Sequence, residues 1–386
     1  MTMLRRVPHF LLAGILSFLL FTVVDGNVTR ATAADGEVLI GMNAPVTGGA
    51  ASEAVYFLKA VKLAEKHINE SGGINGKKLK VVVQDNQSTN PGALAALNKS
   101  VEQDKVLAVL GPIKSTQILA MADAIKNYGI PTMIGGTNVN LTNQGNPWLF
   151  RCRPDDSITA QAIVKYIKED LGLKKIGILH DSDAFGTGGA DMVEKYAKEN
   201  GLTVVKREKH MTRDKDYTAQ LLSLKAAGTE AFVHYGTILE DIAVVLRQYR
   251  QLGSPFKYVG PPANSAKDTL ALAQGAAEGI LTTADSIPGQ TEEYNWYSTE
   301  YRKAYNEEMD AWAAWNYDAI MVLANAIKQA GEDRAKIREA ILSLKNYPGA
   351  LGTYSFTPNG DGRHQVCIVK VENGVQKLVK IVNIAP

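Results

Sequence analysis

VLAVLGPIKSTQILAMA, residues 106–122, joins a strand to a helix and decides the fold. Its first half is a short apolar run that ends at Gly111-Pro112, which is typical of a buried parallel strand closing in a turn. Apolar residues then recur at helical spacing from Ile118 to Ile125, with Ser115 at the expected N-cap. In a doubly wound sheet such a junction directs backbone N–H groups and a positive helix end into the crevice. The stretch therefore predicts an anion-binding position.

A second junction follows at once. Residues 130–134 form another short apolar run, and Gly135-Gly136-Thr137-Asn138 comes directly after it. The hydroxyls of Ser115 and Thr137 can donate to one carboxylate, while Gly136 has no Cβ and lets a ligand approach the main chain. The alternative, in which Ser115 only caps its helix and the glycines only turn the chain, stays open at this point, since capping does not preclude ligand contact.

The N-terminus has the layout of a secretory signal peptide. Arg5-Arg6 precede an apolar run at residues 10–24, and Ala31-Thr32-Ala33-Ala34 follows. The run is short for a membrane span, so we expect residues 1–34 to be removed by cleavage near Ala33 or Ala34. No cysteine precedes Cys152, and the mature chain is therefore expected to be exported without a lipid anchor.

Charge and cysteine content narrow the class of partner. The formal net charge of +2 comes from residues 1–34, which carry three arginines and one aspartate, so the mature chain is neutral. A neutral chain without a basic block gives no reason to propose nucleic acid or an anionic membrane as a partner. The only cysteines, Cys152 and Cys367, are far apart in sequence and do not indicate a disulfide framework.

The order of predicted elements indicates two α/β lobes. A chain of this length exceeds one comfortable core. Strands and helices alternate from residue 38 to Arg151, and the same alternation starts again after it, which predicts parallel sheets covered by helices. The tail differs, because helices predicted at 292–309, 312–330 and 334–343 precede three further strands. These last segments are expected to cross between the lobes.

Catalytic motifs are absent from the sequence. It has no H-E-x-x-H, G-x-S-x-G, P-loop or C-x-x-C pattern. Gly186-Thr187-Gly188-Gly189 follows a strand, but Asp191 stands at the third glycine position of a dinucleotide fingerprint, which favours a tight helix start. His180-Asp181 and His234 lie at strand ends without a nearby nucleophile, so we interpret them as crevice-lining or structural residues. We expect no enzymatic activity, no cofactor and no metal site.

Seven short segments, in order and at compatible spacing, carry a resemblance over essentially the whole mature chain. They are Pro45-Val46-Thr47-Gly48, residues 68–76, Gly111-Pro112 with Ser115, Gly136-Thr137-Asn138, Phe150-Arg151 with Pro154 and Asp156, Asp181 with Phe185-Gly186, and Tyr317-Asp318-Ala319. With these segments the chain resembles the periplasmic substrate-binding proteins of branched-chain amino acid ABC transporters, of the leucine/isoleucine/valine-binding type.

The resemblance implies the type I periplasmic binding protein fold, with two Rossmann-like lobes of parallel sheet joined by a three-strand hinge that closes on a ligand. The implied N-terminal lobe is 35–155 plus 285–350, and the C-terminal lobe is 156–284 plus 351–386. The implied function is that of a monomeric periplasmic component of an ABC importer. It captures a small carboxylate-bearing ligand, a branched-chain or other apolar amino acid, and presents it to an inner-membrane permease.

The resemblance also implies a set of ligand-binding residues. Ser115 and Thr137 match the family's carboxylate-holding hydroxyls, and Gly136 matches its small residue with exposed backbone. Phe185 stands where the family often places a tyrosine against the ligand. The full expected set is Lys114, Ser115, Gly136, Thr137, Phe185, Tyr235 and Gly236.

One departure bears on the ligand. Amino-acid-binding members have a glutamate after Gly-Pro at the end of a second-lobe strand, and it pairs with the ligand ammonium, whereas Pro262 stands there in this chain. A buried ammonium without a charge partner costs several kcal/mol. Either another carboxylate substitutes, or the ligand is an amine-free aromatic or 2-oxo acid. The candidates for that carboxylate are Asp183, Glu240, Asp181 and Glu53.

The sequence leaves two further functions open, and it does not decide whether two tryptophans lie in the core or in the pocket. A ligand-sensing receptor would use the same fold, and a secreted enzyme acting on a small acid would use His180 and Asp181. Trp312 and Trp315 lie at helical spacing, which suits core packing for Trp312 and either core or pocket for Trp315.

Overall fold

The computed structural model describes residues 36–384, and the expected signal peptide lies outside them. Two main β-sheets form the centres of two lobes. In the first sheet, alternate residues of one strand enter different cores: Ile40 packs in one cluster and Leu39 in another. Both faces of this sheet are therefore covered, as expected for a parallel sheet.

The first lobe is built on five parallel strands in the spatial order β2-β1-β3-β4-β5. Elements are numbered along the chain. The strands are β1 Glu37–Ala44, β2 Lys78–Asp85, β3 Ala108–Leu110, β4 Thr132–Ile134 and β5 Leu149–Arg151. The helices between them are α1 Ala51–Glu70, α2 Asn90–Glu102, α3 Ser115–Tyr128 and α4 Asn140–Asn143.

The second lobe has a mixed sheet of seven strands in the order β14-β13-β10-β9-β8-β6-β7. The last two strands of the chain are antiparallel, and the other five are parallel. The strands are β6 Lys175–Asp181, β7 Thr203–His210, β8 Ala231–Tyr235, β9 Lys257–Gly260, β10 Leu281–Ala284, β13 Gln365–Glu372 and β14 Val375–Asn383. The helices are α5 Asp156–Glu169, α6 Ala184–Glu199, α7 Thr218–Ala226, α8 Leu239–Gln251 and α9 Lys267–Ala273, with a 3-10 turn at Pro262–Ser265.

The segment between the two parts of the second sheet packs on the first lobe. It comprises α10 Glu292–Tyr305, α11 Ala311–Ala330, α12 Arg334–Ser343 and the hairpin of β11 Tyr347–Gly349 with β12 Gly352–Tyr354. Trp315 is 1 % exposed and shares a core with Ile40 and Phe57. The helix predicted at 292–309 ends early, because Asn306 adopts a left-handed backbone and the Asp310 side chain caps the next helix.

Three connections run between the lobes, at residues 152–155, 285–291 and 355–364. The first and third lie side by side, because Arg151 N donates to Gly360 O and Gly362 N donates to Arg151 O, both at 2.9 Å. Arg363 Nη2 of the third connection donates to Asp285 O of the second at 3.4 Å. The buried Arg151 guanidinium reaches one carboxylate oxygen of Asp361 at 2.6 and 2.8 Å. The predicted architecture is confirmed, whereas the residue boundaries of the lobes stay a prediction.

Replacing Arg151 by Met is expected to destabilise the fold by about 3–5 kcal/mol, because it leaves the Asp361 carboxylate buried without its charge partner. Urea unfolding followed by circular dichroism measures the loss. Arg302→Met is the matched control, since its pair with Glu308 is exposed and should leave the midpoint unchanged. Equal midpoints for the two variants would contradict the structural role of Arg151.

Candidate functional site

A cavity of about 50 Å³ lies between the carboxyl ends of the two sheets. Ser115 and Thr137 line it from the first lobe, and Phe185 and Gly236 line it from the second. A larger cavity of about 690 Å³ adjoins it and shares Arg153, Pro262, Asp285 and Trp312. The smaller cavity is the candidate site, because the predicted hydroxyls converge there and the larger one contains neither of them.

Ser115 reaches the cavity, but it is not the N-cap. Lys114 occupies the N-cap position with extended backbone, and its side chain makes no capping bond. The prediction that Ser115 caps the helix was wrong because the helix already begins at Ser115. The Ser115 hydroxyl oxygen instead accepts a hydrogen bond from Asn138 N at 3.3 Å. Its own hydrogen is therefore available to a ligand oxygen.

Gly136 keeps the junction open. A Cβ at this position would lie 2.6 Å from the Ile118 side chain and 3.0 Å from Ser115 Oγ. The next residue, Thr137, is anchored through its backbone, because its carbonyl accepts a hydrogen bond from Asp156 N at 2.8 Å. The two hydroxyls thus face one cavity across a position that only glycine fits.

Asp156 brings a carboxyl group to the same wall. It lies in the first turn of α5, where the neighbouring Asp155 makes the cap by accepting from Ile158 N. Asp156 is 1 % exposed, and within residues 36–384 its Oδ2 atom has no hydrogen-bond partner. Burial raises the pKa of this carboxyl to about 7, although a hydrogen bond with Thr137 acts in the opposite direction.

Sequence reasoning named Asp156 as part of a family segment but not as a ligand-binding residue. A signal was present, because two successive aspartates begin one helix and only one of them can occupy the cap position. The other is left with an uncommitted carboxyl group in the first turn. The backbone bond that links it to the Thr137 loop could not be predicted.

Arg153 and Trp312 form a further wall that sequence reasoning missed. The Arg153 side chain donates to Asp285 Oδ2 at 2.6 Å and to Gly135 O at 2.7 Å. Its guanidinium also lies 5.1 Å from the centre of the Trp312 ring. Trp312 packs against the hydrophobic cores of both lobes, as predicted, and its ring also borders both cavities, whereas Trp315 lies wholly in the core.

Aromatic residues close the second-lobe side. Phe185, in the first turn of α6, lines the cavity and packs against Tyr235 with ring centres 5.4 Å apart. Tyr235 is fully buried behind it, and a Cβ on Gly189 would collide with its ring. Gly236 reaches the cavity wall directly, beside Thr237.

Most of the carboxylates proposed to replace the family glutamate lie elsewhere. Asp183 caps α6 by accepting from Gly186 N at 2.8 Å, Glu240 is exposed, and Asp181 accepts from Thr212. Glu53 is 2.7 Å from Lys114 Nζ, which lines the cavity. Pro262 also lines the cavity, so the wall that carries it offers no carboxylate of its own.

Hydrogen bonds cross the cleft and hold the lobes together. Asn138 Nδ2 donates to Ala184 O at 2.5 Å, and Lys114 Nζ donates to Thr237 O at 3.2 Å. The guanidinium of Arg213 lies against Gly49, where a Cβ would have no room. The structure therefore has the closed arrangement of the two lobes.

Two α/β lobes, three adjacent connections and a polar cavity between the sheets define a two-lobed ligand-binding protein. The search for membrane spans in residues 36–384 finds no helix with the length and apolar character that a crossing requires. The chain belongs to the periplasmic binding protein family, whose sequence profile matches residues 37–376.

Individual relatives agree with this assignment. An amino acid binding protein of Pseudomonas aeruginosa is 30 % identical over 358 residues, which cover 90 % of this chain and 92 % of the relative. The leucine-binding protein LivK of Thermotoga maritima has a TM-score of 0.83 and 27 % identity, covering 90 % of this chain and 99 % of that one. The transporter substrate-binding protein LivJ of Streptococcus pneumoniae, solved with isoleucine, has a TM-score of 0.82 and 26 % identity over 90 % and 99 % of the two chains.

Asp156 is expected to titrate near pH 7 in the folded protein, whereas an unperturbed aspartate titrates near 3.8. The folded state then holds a proton that the unfolded state has lost, so this group lowers the free energy of unfolding as pH rises from about 4 to about 7. Carbon-13 NMR of labelled aspartate carboxyls measures the titration, with Asp156→Asn identifying the signal. A midpoint below pH 5 would contradict the assigned environment.

Proposed function

We propose that this protein is the extracytoplasmic solute-binding component of an ABC importer, and that it captures an apolar amino acid of the branched-chain type in the cleft between its lobes. The observation that carries the proposal is the meeting of Ser115, Thr137 and the unpartnered Oδ2 atom of Asp156 in one cavity beside Phe185. Hydroxyls suit the ligand carboxylate, the carboxyl suits an ammonium, and the aromatic ring suits an apolar side chain.

Asp156 takes the role that the missing glutamate has in the resembling family. Its Oδ2 atom is buried without a partner in the part of the chain that the structure describes, so an ammonium placed there would satisfy it. Asp285 also borders the cavity, but Arg153 already neutralises it. The cavity therefore offers hydroxyl groups for the carboxylate of an amino acid and a carboxyl group for its ammonium.

An amine-free aromatic or 2-oxo acid is the second candidate. It is favoured by Pro262 on the cavity wall and by the raised pKa of Asp156, because a protonated carboxyl donates a hydrogen bond to a ligand oxygen. The two candidates require opposite protonation states of Asp156. The direction of the pH dependence therefore separates them.

The cellular setting follows from the family and from the expected signal peptide. We propose that the mature chain works in the periplasm as a monomer and delivers its ligand to an inner-membrane permease. The lobes, predicted as 35–155 plus 285–350 and 156–284 plus 351–386, would open and close about the three connections, with the hairpin of β11 and β12 moving with the first lobe. No nucleic acid partner, cofactor or catalytic activity is part of the proposal.

Leucine affinity is expected to rise between pH 6 and pH 8, because ionised Asp156 attracts the ammonium. Calorimetric titration with leucine and with 4-methyl-2-oxopentanoate, which has the same skeleton without the amine, measures both affinities. Asp156→Asn should weaken leucine binding and remove its pH dependence. Asp155→Asn is the control, since asparagine also caps helices and Asp155 is not on the cavity wall.

Each outcome of that titration has a definite meaning. Binding of the 2-oxo acid alone, weakening as pH rises, would replace the amino acid by the second candidate. Binding of neither compound would remove the branched-chain ligand class altogether. Leucine binding that is unchanged in Asp156→Asn would remove the proposed ammonium partner while leaving the importer role untouched.

The double variant Ser115→Ala with Thr137→Ala is expected to weaken ligand binding by about 100-fold or more, since each hydroxyl-to-carboxylate hydrogen bond contributes about 1.5–3 kcal/mol. Its thermal unfolding should resemble wild type. The double variant Thr203→Ala with Ser343→Ala changes the same residue types at exposed positions and should bind normally. Wild-type affinity in the first variant would refute the carboxylate site.

A further inference from the structure

A second cluster of polar side chains lies in the second lobe. Asp181 ends β6, His210 ends β7, and Asp241 lies in the first turn of α8. All three are buried, and one potential ligand atom from each lies within 4.8 Å of the other two. None of these residues lines the ligand cavity.

Two atoms of this cluster have no partner. Asp181 is 0 % exposed and His210 is 2 % exposed, yet Asp181 Oδ2 and His210 Nε2 make no hydrogen bond to any of residues 36–384. A buried carboxylate oxygen and a buried ring nitrogen left unpaired are each costly. Their joint occurrence beside a third ligand-type side chain points to a group that bonds to all three.

Neighbouring bonds orient each side chain for such a group. His210 Nδ1 lies 3.0 Å from Met211 O, and a carbonyl can only accept, so Nδ1 carries the proton and Nε2 presents a lone pair. The other carboxylate oxygen of Asp181 accepts from Thr212 Oγ1 at 2.8 Å. One oxygen of Asp241 likewise accepts from Arg213 N at 2.6 Å. Asp181 and His210 are thus fixed through the atoms opposite their unpartnered ones, and Asp241 is held by the backbone of Arg213.

We propose that Asp181, His210 and Asp241 bind one divalent first-row metal ion, of the class of Zn²⁺ or Mn²⁺. One imidazole and two carboxylates form a mixed nitrogen and oxygen set, which suits these ions better than an all-oxygen set for Ca²⁺ or a thiolate set. Bonds of about 2.1 Å span at most about 4.2 Å between two ligand atoms. A small contraction of the cluster therefore suffices for coordination. The sequence predicted no metal site, because these three residues are far apart along the chain.

The ion would fix the rim of the second lobe. Asp183, which caps the helix of Phe185, also donates its backbone N–H to the Asp181 carboxylate at 3.1 Å. Arg213, whose backbone binds Asp241, reaches across to Gly49 of the first lobe. The site supports two loops at the mouth of the cleft and does not depend on the identity of the ligand.

The test uses the mature protein stripped with a chelator and reloaded with Zn²⁺ alone or Mn²⁺ alone. We expect about one ion per chain to stay bound through gel filtration, measured by inductively coupled plasma mass spectrometry, together with a higher thermal midpoint. His210→Gln and Asp241→Asn should each weaken metal binding by more than about 100-fold in calorimetric titration. His67→Gln, a partly buried histidine bonded to Tyr317, is the matched control and should keep the ion.

The proposal is overturned if wild-type protein that has been stripped and then reloaded retains no ion through gel filtration, or if both cluster variants retain as much as wild type. Retention of the ion by wild type and His67→Gln, with loss in the cluster variants, supports it. Circular dichroism checks that each variant is folded. If one cluster variant does not fold, the other variant and the wild-type titration decide the outcome.

Discussion

The buried pair of Arg151 and Asp361 is the interaction on which the rest of the structure depends. It joins the last strand of the first sheet to the last connection between the lobes, and both partners are shielded from water. The same guanidinium donates to the carbonyl oxygens of Gly136 and Asn138. The Arg151 side chain therefore holds both a connection between the lobes and the loop that carries Thr137. The shape of the cavity and the position of the hinge are set together.

Most of the charged side chains around the cavity are paired with one another. Arg153 is neutralised by Asp285 and shielded by Trp312, and Lys114 is paired with Glu53. Asp156 and Glu53 each keep one buried carboxylate oxygen without a partner within residues 36–384, and of these two residues only Asp156 lines the cavity. Because the Asp156 carboxyl is buried, it favours whatever neutralises it, whether a proton or a ligand cation. The proposed choice between an amino acid and an amine-free acid therefore depends on this side chain.

The sequence predicted which residues lie at the carboxyl ends of neighbouring parallel strands. Ser115 and Thr137 meet because neighbouring parallel strands end at the same edge, and this follows from periodicity and turn residues alone. The site residues Arg153, Asp156 and Trp312 were harder to predict, because their roles come from bonds with distant backbone and from the angle of α11. The Asp181, His210 and Asp241 cluster shows the same limit, since three strand and helix ends meet there that are about 30 residues apart. Local sequence patterns predict the helices, the strands and the residues at the strand ends. The hydrogen-bond partners of individual side chains are seen only in the folded structure, because they come from distant parts of the chain.

The three adjacent connections also determine how opening and closing of the cleft can be measured. Adjacent connections of this kind act as a hinge, so opening of the cleft changes the distance between its two rims. Val46 and Met211 are exposed on opposite rims, near the contact between Gly49 and Arg213. A pair of spectroscopic labels on these two rims would act as a molecular ruler for that distance. One distance distribution would then read the fraction of molecules in each state of the cleft, whatever compound occupies it.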